Sequence, residues 1–328
     1  MQTRPLGQSG TQVSLLGMGT WGIGGGWGPT DDEQSIRAIH AAIDHGITLI
    51  DTAAGYGDGH SERVIARALS GMSQRPMIAT KTPPAPGPWP PSPYCRWQDR
   101  YPAAYLRDNI HRRMELLGVD KIDLLQLHTW TPAWNDDPQP LLVLRQLREE
   151  GKVDLIGVST PEQDQGCVIQ LMRDGLVDVV QIVFNIFEQE SAAQILPVAL
   201  ETGTGVVVRV VLDEGSLGGN FNSETSFPED DFRHQFFAGD RLQRTLTRVE
   251  AVQSLIDQAG LGEDYSLADV AIKFAAARPE VSSVLVGMRS PRRVQQNVAA
   301  IGKPDLPESL LEELKKHHWR RGVWYAGK

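Results

Sequence analysis

Short apolar runs alternate with longer amphipathic segments along the whole chain. The runs are rich in Val, Ile and Leu, which is typical of strands buried on both faces, and the segments between them have helical spacing. The predicted strands are Leu15–Met18, Ile47–Asp51, Met77–Lys81, Ile122–His128, Val153–Ser159, Val177–Phe184, Gly205–Leu212 and Ser283–Val286. Regular alternation of strand and helix predicts a parallel sheet, and eight such runs favour a closed barrel over an open sheet.

Most of these strands are followed by a predicted helix. The helices are Thr30–His45, Ser61–Leu69, Ala103–Leu117, Pro138–Glu150, Pro161–Arg173, Ala192–Glu201, Asp240–Gln258, Ser266–Ala276 and Pro291–Ala300. Thr30 is predicted as the N-cap of the first helix, with Glu33 completing a capping box. Before it, Thr3–Leu6 and Val13–Leu16 flank a glycine-containing turn and predict a β-hairpin, which we expect to cross the bottom of the barrel.

Two long segments interrupt this alternation. Thr82–Tyr101 contains seven prolines and two tryptophans, and Asp213–Gly239 is rich in Gly, Asp, Glu and Phe. Irregular loops of this length in a compact domain are commonly functional lids, and the alternative is plain surface decoration. We expect the second segment to fold over a bound ligand.

No linker or change of composition divides the chain, so we predict one domain over residues 1–328, an α/β (β/α)8 TIM barrel with an N-terminal hairpin. The competing interpretation is an open dinucleotide-binding sheet. Gly22–Gly26 is glycine-rich, but Trp27-Gly28-Pro29 follows it and no acidic residue stands at the required spacing. The sequence therefore favours the barrel.

Composition narrows the class of protein. Apolar residues make up 41% of the chain and charged residues 22%, and the net charge of −9 argues against nucleic acid as a partner. Two cysteines without CxxC spacing indicate a reducing compartment and no metal site. No apolar run is long enough to span a membrane, so we expect a cytoplasmic protein. A homo-oligomer is compatible with the sequence.

Three of the predicted strands end on residues capable of proton or charge chemistry. These are Asp51, Lys81 and His128, and Tyr56 lies just beyond the first of them. In a (β/α)8 barrel the carboxyl ends of the strands converge on one face, where active sites are built. Any one of these side chains could be a solvated charge or a structural group. Together at one face they predict an enzyme.

The four side chains suggest a division of chemical roles. A tyrosine has a pKa of ~10 and donates a proton poorly at neutral pH unless it is perturbed. An ammonium from Lys81 would lower the pKa of Tyr56, and Asp51 would hold that ammonium in place. His128 would orient a substrate carbonyl or help relay the proton.

The chain resembles an aldo-keto reductase over nearly its whole length. The segments that carry the resemblance are Leu16–Trp21, Asp51–Gly57 with Ser61-Glu62, Thr80-Lys81, Asp123–His128, Gly151–Ser159, Gln181 with Asn185, and Gly287–Ser290 through Asn297. The resemblance implies an NADPH-dependent reductase of a small aldehyde or ketone, with Asp51, Tyr56, Lys81 and His128 catalytic. It also allows the reverse oxidation of a sugar or alcohol.

The resemblance further implies where NADPH binds. The implied cofactor residues are Gly19, Thr20, Trp21, Ser159, Thr160, Gln181, Arg209, Leu212, Glu214, Ser216, Leu217, Gly287, Met288, Arg289, Arg293, Gln296 and Asn297. Ser159 and Gln181 match positions that hold the nicotinamide carboxamide. Leu212–Leu217 match the loop over the pyrophosphate. Arg289 and Arg293 suit a 2′-phosphate, because guanidinium groups pair with phosphate through two hydrogen bonds.

The chain also departs from the family pattern. Arg209 stands where many relatives carry an aromatic residue stacked on the nicotinamide, and a planar guanidinium can stack on a ring in the same way. Thr160 replaces a common Asn, Gln296 a common Glu, and Val210-Val211 a common Ser-Pro. These changes affect the cofactor pocket and leave the catalytic four intact.

Tryptophans on the loops after the first, third and fourth barrel strands are candidates for the walls of a substrate pocket. They are Trp21, Trp89 and Trp130, with Trp134 close to the last. Aromatic walls suit apolar, aromatic or sugar-ring substrates.

Two other functions fit parts of the sequence. One is an NADPH-binding accessory subunit with slow reductase activity, as some relatives of the family are. The other is a barrel lyase or aldolase that forms a Schiff base on Lys81, which requires an uncharged amine.

Overall fold

Eight parallel strands close into a barrel in the computed structural model of the protein, which describes residues 1–319. The hairpin strands are β1 (Thr3–Pro5) and β2 (Gln12–Ser14), and the barrel strands are β3 (Leu16–Gly19), β4 (Leu49–Asp51), β5 (Met77–Thr82), β6 (Ile122–Leu127), β7 (Val153–Ser159), β8 (Val179–Val183), β9 (Gly205–Arg209) and β10 (Ser283–Gly287). Each barrel strand pairs with the next, and β10 pairs with β3 to close the ring. The predicted (β/α)8 fold is confirmed. Residues 320–328 of the predicted domain lie outside the described range.

Helices follow the strands and surround the barrel. They are α1 (Asp32–Asp44), α2 (His60–Leu69), α3 (Trp97–Arg100), α4 (Ala103–Leu117), α5 (Gln139–Glu149), α6 (Ile169–Arg173), α7 (Glu190–Thr202), α8 (Phe232–Phe236), α9 (Arg241–Gln258), α10 (Leu267–Ala276), α11 (Pro291–Gly302) and α12 (Glu308–Lys315). The apolar faces of these helices pack on the outer face of the strands in one large buried cluster. Within residues 1–319, none of the helices has the length and apolar character needed to cross a membrane.

The N-terminal hairpin closes one end of the barrel, as predicted. Strands β1 and β2 pair antiparallel, and fully buried Leu6 and Val13 enter a small apolar cluster inside the barrel. The other members of that cluster are Leu49, Ala79, Leu124, Val179, Val207 and Leu285, with one residue from each of six barrel strands. The hairpin therefore fills the amino-terminal mouth, and the opposite face is left for the long loops.

The starts of two helices differ from the prediction for a physical reason that the structure shows. Helix α1 begins at Asp32, and its N-cap is Asp31, whose side chain accepts a hydrogen bond from the Gln34 amide; the predicted Thr30 capping box is wrong. The helix predicted over Pro161–Arg173 is shorter, because a 3₁₀ turn precedes α6. In that turn the Gln165 side chain accepts a hydrogen bond from the Val183 amide at 2.6 Å, which binds the segment to β8 instead of extending the helix.

Strand β9 ends three residues earlier than predicted. Val210 has a φ of 57°, a left-handed conformation that a β-branched residue rarely adopts, and it cannot continue a strand. The Asn185 side chain donates a hydrogen bond to the Val210 carbonyl at 2.9 Å and holds this bend. The chain therefore leaves the barrel at Arg209 and enters the long segment Asp213–Gly239, which contains helix α8.

Candidate active site

Three neighbouring strands bring Asp51, Lys81 and His128 to the same face, as predicted from the ends of the apolar runs. The Lys81 ammonium donates hydrogen bonds to a carboxylate oxygen of Asp51 at 2.6 Å and to the Thr52 carbonyl at 2.9 Å. It also lies 3.4 Å from the Tyr56 hydroxyl. The structure therefore places the ammonium between a carboxylate and a phenol.

Both charged members of this group are buried. Lys81 is 0% exposed and Asp51 is 3% exposed, so each charge depends on the other for compensation. The second Asp51 oxygen accepts a hydrogen bond from the Gln181 side chain at 2.7 Å. Sequence reasoning had placed Gln181 on the cofactor alone; here its amide also fixes the carboxylate that holds Lys81.

His128 also lies beside the phenol. Its ring is edge-on to the Tyr56 ring at a centroid distance of 6.2 Å and edge-on to the Trp89 ring at 5.8 Å. Burial lowers the pKa of His128 well below 6.5, and the positive charges of Lys81 and Arg209 lower it further. The imidazole is therefore neutral at physiological pH and has one N–H to donate.

The pKa of Tyr56 results from opposing effects. Burial raises it above 10.0 and is the largest effect, while the Lys81 ammonium lowers it; the Asp51 charge raises it and the Arg209 charge lowers it. Lys81 thus acts in the direction expected from the sequence, but burial outweighs it. The net lowering of the pKa that we expected for Tyr56 is absent, and the phenol is protonated at neutral pH.

Arg209 lies at the carboxyl end of β9, beside this group. One of its terminal nitrogens donates to Glu162 at 2.7 Å and to the Thr160 carbonyl at 2.9 Å. Its Nε is buried and has no hydrogen-bond partner among residues 1–319. The ion pair with Glu162 was not predicted, because the two residues are distant in sequence and no motif links them.

The residues expected to hold a nicotinamide carboxamide lie together. Ser159 and Gln181 are register partners on β7 and β8, and their side-chain oxygens are 3.4 Å apart. The Thr160 hydroxyl already donates hydrogen bonds to the Gln165 side chain and the Gln181 carbonyl, both at 3.2 Å.

Thr20, which was also expected at the cofactor, is fully buried, and its hydroxyl donates a hydrogen bond to the Asp51 carbonyl at 2.8 Å. The Thr20 side chain is therefore part of the support of the site and does not face the cleft.

The loop after β9 carries the expected pyrophosphate residues. Its first turn, Asp213–Gly218, contains two left-handed residues that are not glycine, Asp213 (φ 49°) and Glu214 (φ 54°). The Ser216 hydroxyl donates to Asp213 at 2.6 Å, and Leu217 is fully buried, while Leu212 packs partly buried against the core. In this conformation Leu212 and Leu217 pack the turn against the barrel.

The expected adenosine residues lie around the N-terminus of α11. Gly287 of β10 is the register partner of Gly19 of β3. The side chains of Met288 and Asn297 are buried. The Ser290 side chain caps helix α11.

The two expected arginines have partners within the protein. The Arg289 side chain donates a hydrogen bond to the Trp27 carbonyl at 3.2 Å, and the Arg293 side chain donates one to Gln296 at 3.2 Å. Two guanidinium groups at a helix N-terminus form an environment that favours an anionic group.

A sequence profile of the aldo/keto reductase family matches residues 15–318, which is nearly the whole chain. The chain belongs to the aldo/keto reductase family. It is 30% identical over 304 residues to the aldo-keto reductase YhdN of Bacillus subtilis (strain 168), covering 90% of this chain and 87% of that protein. It is 26% identical to the NADH-specific methylglyoxal reductase of Escherichia coli (strain K12), covering 96% of this chain and 98% of that protein.

Solved structures agree with this assignment. The glycerol dehydrogenase AKR11B4 from Gluconobacter oxydans superimposes on this chain with a TM-score of 0.76 at 27% sequence identity, covering 99% of this chain and 98% of that one. The protein is thus an aldo/keto reductase by sequence and by fold, and the family is one of oxidoreductases.

The tryptophans of this aldo/keto reductase differ in their surroundings. Trp89 is 45% exposed beside His128, where it is available to a substrate. Trp130 is 1% exposed, its ring packs edge-on against Trp134 at 5.2 Å, and its indole N–H donates to Asn135. These are the contacts of a core residue, so the expected place of Trp130 in the pocket wall finds no support in its surroundings.

Trp21 connects two loops of the same face. Its ring is edge-on to Trp27 at 5.7 Å and to Phe232 of helix α8 at 5.3 Å. The Arg233 guanidinium lies over the Trp27 ring at 5.2 Å and pairs with Asp231 at 2.6 Å. The segment after β9 is therefore attached to the loop after β3. The sequence showed the aromatic residues but not this pairing.

Proposed function

We propose that this aldo/keto reductase uses NADPH to reduce an aldehyde or ketone to an alcohol, and that the same site catalyses the reverse oxidation of a sugar or alcohol. The observation that carries the proposal is the position of the buried Lys81 ammonium, 2.6 Å from Asp51 and 3.4 Å from the Tyr56 hydroxyl. This arrangement suits a phenol that gives a proton to a carbonyl oxygen and is left as a phenolate beside a cation.

The residues assigned to the cofactor fit a nicotinamide dinucleotide. Two buried donors, Arg209 Nε and Trp27 Nε1, have no hydrogen-bond partner among residues 1–319, and such groups suit a polar ligand. Ser159 and Gln181 would hold the carboxamide, the Leu212–Leu217 loop the pyrophosphate, and Arg289 with Arg293 the 2′-phosphate. When bound, the cofactor supplies the hydride.

Side chains of the protein carry out the proton transfer that accompanies hydride transfer. The Tyr56 hydroxyl protonates the substrate oxygen, and Lys81 stabilises the phenolate that results. Asp51 keeps Lys81 charged and in place, and neutral His128 donates a hydrogen bond to the same substrate oxygen. Because Asp51 stabilises the ammonium, Schiff-base formation on Lys81, which needs the free amine, is disfavoured.

The aromatic side chains at the entrance of the site indicate the class of substrate. Exposed Trp89 provides aromatic surface beside His128, and the partly exposed Trp21 adds aromatic surface between the loop after β3 and helix α8. Such surfaces pack against apolar, aromatic or sugar-ring groups. We propose a small carbonyl compound or sugar of this kind as the substrate.

The proposal is tested with a panel of aldehydes, ketones, sugars and alcohols, followed by the absorbance of NADPH, together with fluorescence titration of NADPH binding. Binding with turnover of one or more compounds is expected. Tight binding with negligible turnover of every compound would instead indicate an accessory NADPH-binding subunit. Absence of binding would contradict both functions.

A further inference from the structure

The Arg209 guanidinium pairs with one carboxylate, Glu162, and its charge interacts with a second carboxylate, Glu214, and with the phenol of Tyr56. Glu162 pairs with Arg209 at 2.7 Å, and the two side chains are 27% and 20% exposed. Glu214 lines the same cavity as Glu162, and its charge interacts with that of Arg209. We call Glu162, Arg209 and Glu214 the carboxylate–arginine cluster. The roles proposed above for the catalytic side chains do not use the two carboxylates of this cluster.

The backbone of Glu214 shows that its position is imposed by the fold. Both Asp213 and Glu214 have left-handed conformations, at φ values of 49° and 54°. Residues with a Cβ are disfavoured there and keep such angles only where the surrounding structure demands them. Glycine would relieve this conformation, yet the chain carries an acid at the second position, where it lines the same cavity as Glu162.

The cluster lies within electrostatic range of the reacting atoms. The charge of Arg209 acts on both the Tyr56 hydroxyl and the His128 ring. Hydride transfer requires the donor ring to lie against the carbonyl carbon whose oxygen contacts Tyr56. A nicotinamide ring in that position is therefore exposed to the field of the cluster. The oxidised ring is a cation and the reduced ring is neutral, so only the oxidised ring responds strongly to that field.

Building on the proposed function, we propose that the carboxylate–arginine cluster sets the relative affinity for oxidised and reduced cofactor, with Glu214 as the group that changes it. With Glu214 ionised, the cluster carries a net charge of about −1 and stabilises the cationic ring. With Glu214 protonated, the ion pair of Glu162 and Arg209 leaves the cluster neutral. The ionisation of Glu214 thereby biases the site between alcohol oxidation and carbonyl reduction.

The surroundings of Glu214 place this change near neutral pH. Burial raises the pKa of Glu214 to about 7; the Arg209 charge lowers it, and the Glu162 charge raises it. The charged groups that face Glu214 are Arg209 of β9, Glu162 after β7, Glu188 after β8, the neighbouring Asp213, Arg233 of α8 and Arg241 of α9. Because a cationic ring lowers the pKa of Glu214, the affinity for oxidised cofactor rises as the pH increases through this range.

This proposal is tested by measuring the dissociation constants of NADP⁺ and NADPH by calorimetry between about pH 6 and about pH 8.5, the range in which Glu214 is expected to change its charge. The informative quantity is the ratio of the two constants, since effects on the shared phosphates cancel. For the wild type we expect NADP⁺ to gain about five- to tenfold relative to NADPH across this range, a typical coupling between two sites. In Glu214→Gln the ratio should keep its low-pH value throughout.

A matched control and a second variant complete the experiment. Glu224→Gln removes an exposed carboxylate from the same segment and should follow the wild type. Glu162→Gln makes the cluster more positive, so NADP⁺ should weaken relative to NADPH and the transition should move to lower pH. A pH-dependent ratio that persists in Glu214→Gln would overturn the inference while leaving the reductase proposal intact. Failure of both cofactors to bind the wild type would overturn the two together.

Discussion

The ammonium of Lys81 lies between the carboxylate of Asp51 and the hydroxyl of Tyr56, at 2.6 and 3.4 Å. A fully buried ammonium is stable only with such a partner, so the ion pair is both a structural requirement and a source of positive potential at the phenol. That potential opposes the effect of burial on the pKa of Tyr56. The positive potential of Lys81 therefore favours the phenolate form of Tyr56 over the phenol.

Lys81→Met tests this relationship. The variant strands the Asp51 charge and removes the cation that lowers the pKa of Tyr56, so we expect turnover to fall about 10²-fold or more and the residual pH profile to move to higher pH. Steady-state rates across pH give the answer. Lys121→Met, which removes an exposed lysine paired with Asp154, is the control. An unchanged rate and profile would make Lys81 a structural charge only.

Tyr56→Phe removes the proposed proton donor and keeps the ring. We expect turnover to fall by at least the ~10²-fold that general acid catalysis supplies, with NADPH binding nearly intact. Tyr265→Phe is a suitable control, because that hydroxyl bonds to the Pro304 carbonyl in another part of the structure. Turnover of Tyr56→Phe within a few-fold of wild type would assign the proton to another group.

The barrel and the grouping of the four side chains could be predicted because both depend on local patterns. Apolar runs fix the strands, and parallel strands deliver the residues at their ends to one face. The common location of Asp51, Lys81 and His128 could be predicted from these patterns alone. Their close approach follows from the register of β4, β5 and β6.

Features that depend on contacts between distant segments were not predictable in this way. The pairs Glu162–Arg209 and Trp21–Phe232 join loops whose relative position only the folded barrel defines. Trp130 follows a strand in the same manner as His128, but its ring packs into the core. The balance of burial against charge that raises the pKa of Tyr56 likewise requires the packed structure.

Arg289 and Arg293 are predicted to select NADPH over NADH. Charge-assisted hydrogen bonds to a phosphate contribute roughly 1.5–3 kcal/mol each, so replacing both with Ala should weaken NADPH about 10²-fold or more relative to NADH. Dissociation constants for the two cofactors measure this. Arg292→Ala, an exposed neighbour on the same helix, is the control. Equal weakening of both cofactors would show contacts with the shared part of the molecule.

Glu62 is predicted to make stability depend on pH. Its fully buried carboxylate accepts a hydrogen bond from Thr80 at 2.7 Å and pairs with Arg113 at 3.1 Å, and burial raises its pKa from 4.5 to about 6. Since the folded state binds this proton more tightly than the unfolded state, the contribution of Glu62 to stability falls as the pH rises from 4.5 to about 6.

The expected decrease in the free energy of unfolding is roughly 2 kcal/mol, from a pKa difference of about 1.5 at 1.36 kcal/mol per unit. Urea unfolding of the wild type and of Glu62→Gln over this range gives the two free energies of unfolding. Relative to the variant, the wild type should lose this amount on going to the higher pH. Parallel pH curves for the two proteins would show that Glu62 has the same pKa in the folded and unfolded chains.

The segment Asp213–Gly239 is predicted to close over the pyrophosphate when cofactor binds. It leaves the correct face directly after β9, and its length exceeds that of an ordinary connection. Gly215 and Gly219 adopt positive φ values that let the backbone approach a ligand, and Phe232 contacts Trp21 of the loop after β3.

Opening of this segment would precede cofactor release and could limit turnover. We therefore expect the amides of Asp213–Gly219 to exchange rapidly without cofactor and to be protected by NADPH. Hydrogen exchange with and without NADPH measures this, and the amides of helix α4, on the outside of the barrel, provide an internal control that should not change. Equal exchange of Asp213–Gly219 in the two states would mean that the cofactor is held by the pocket alone, because a segment that closes on a ligand must gain protection from it.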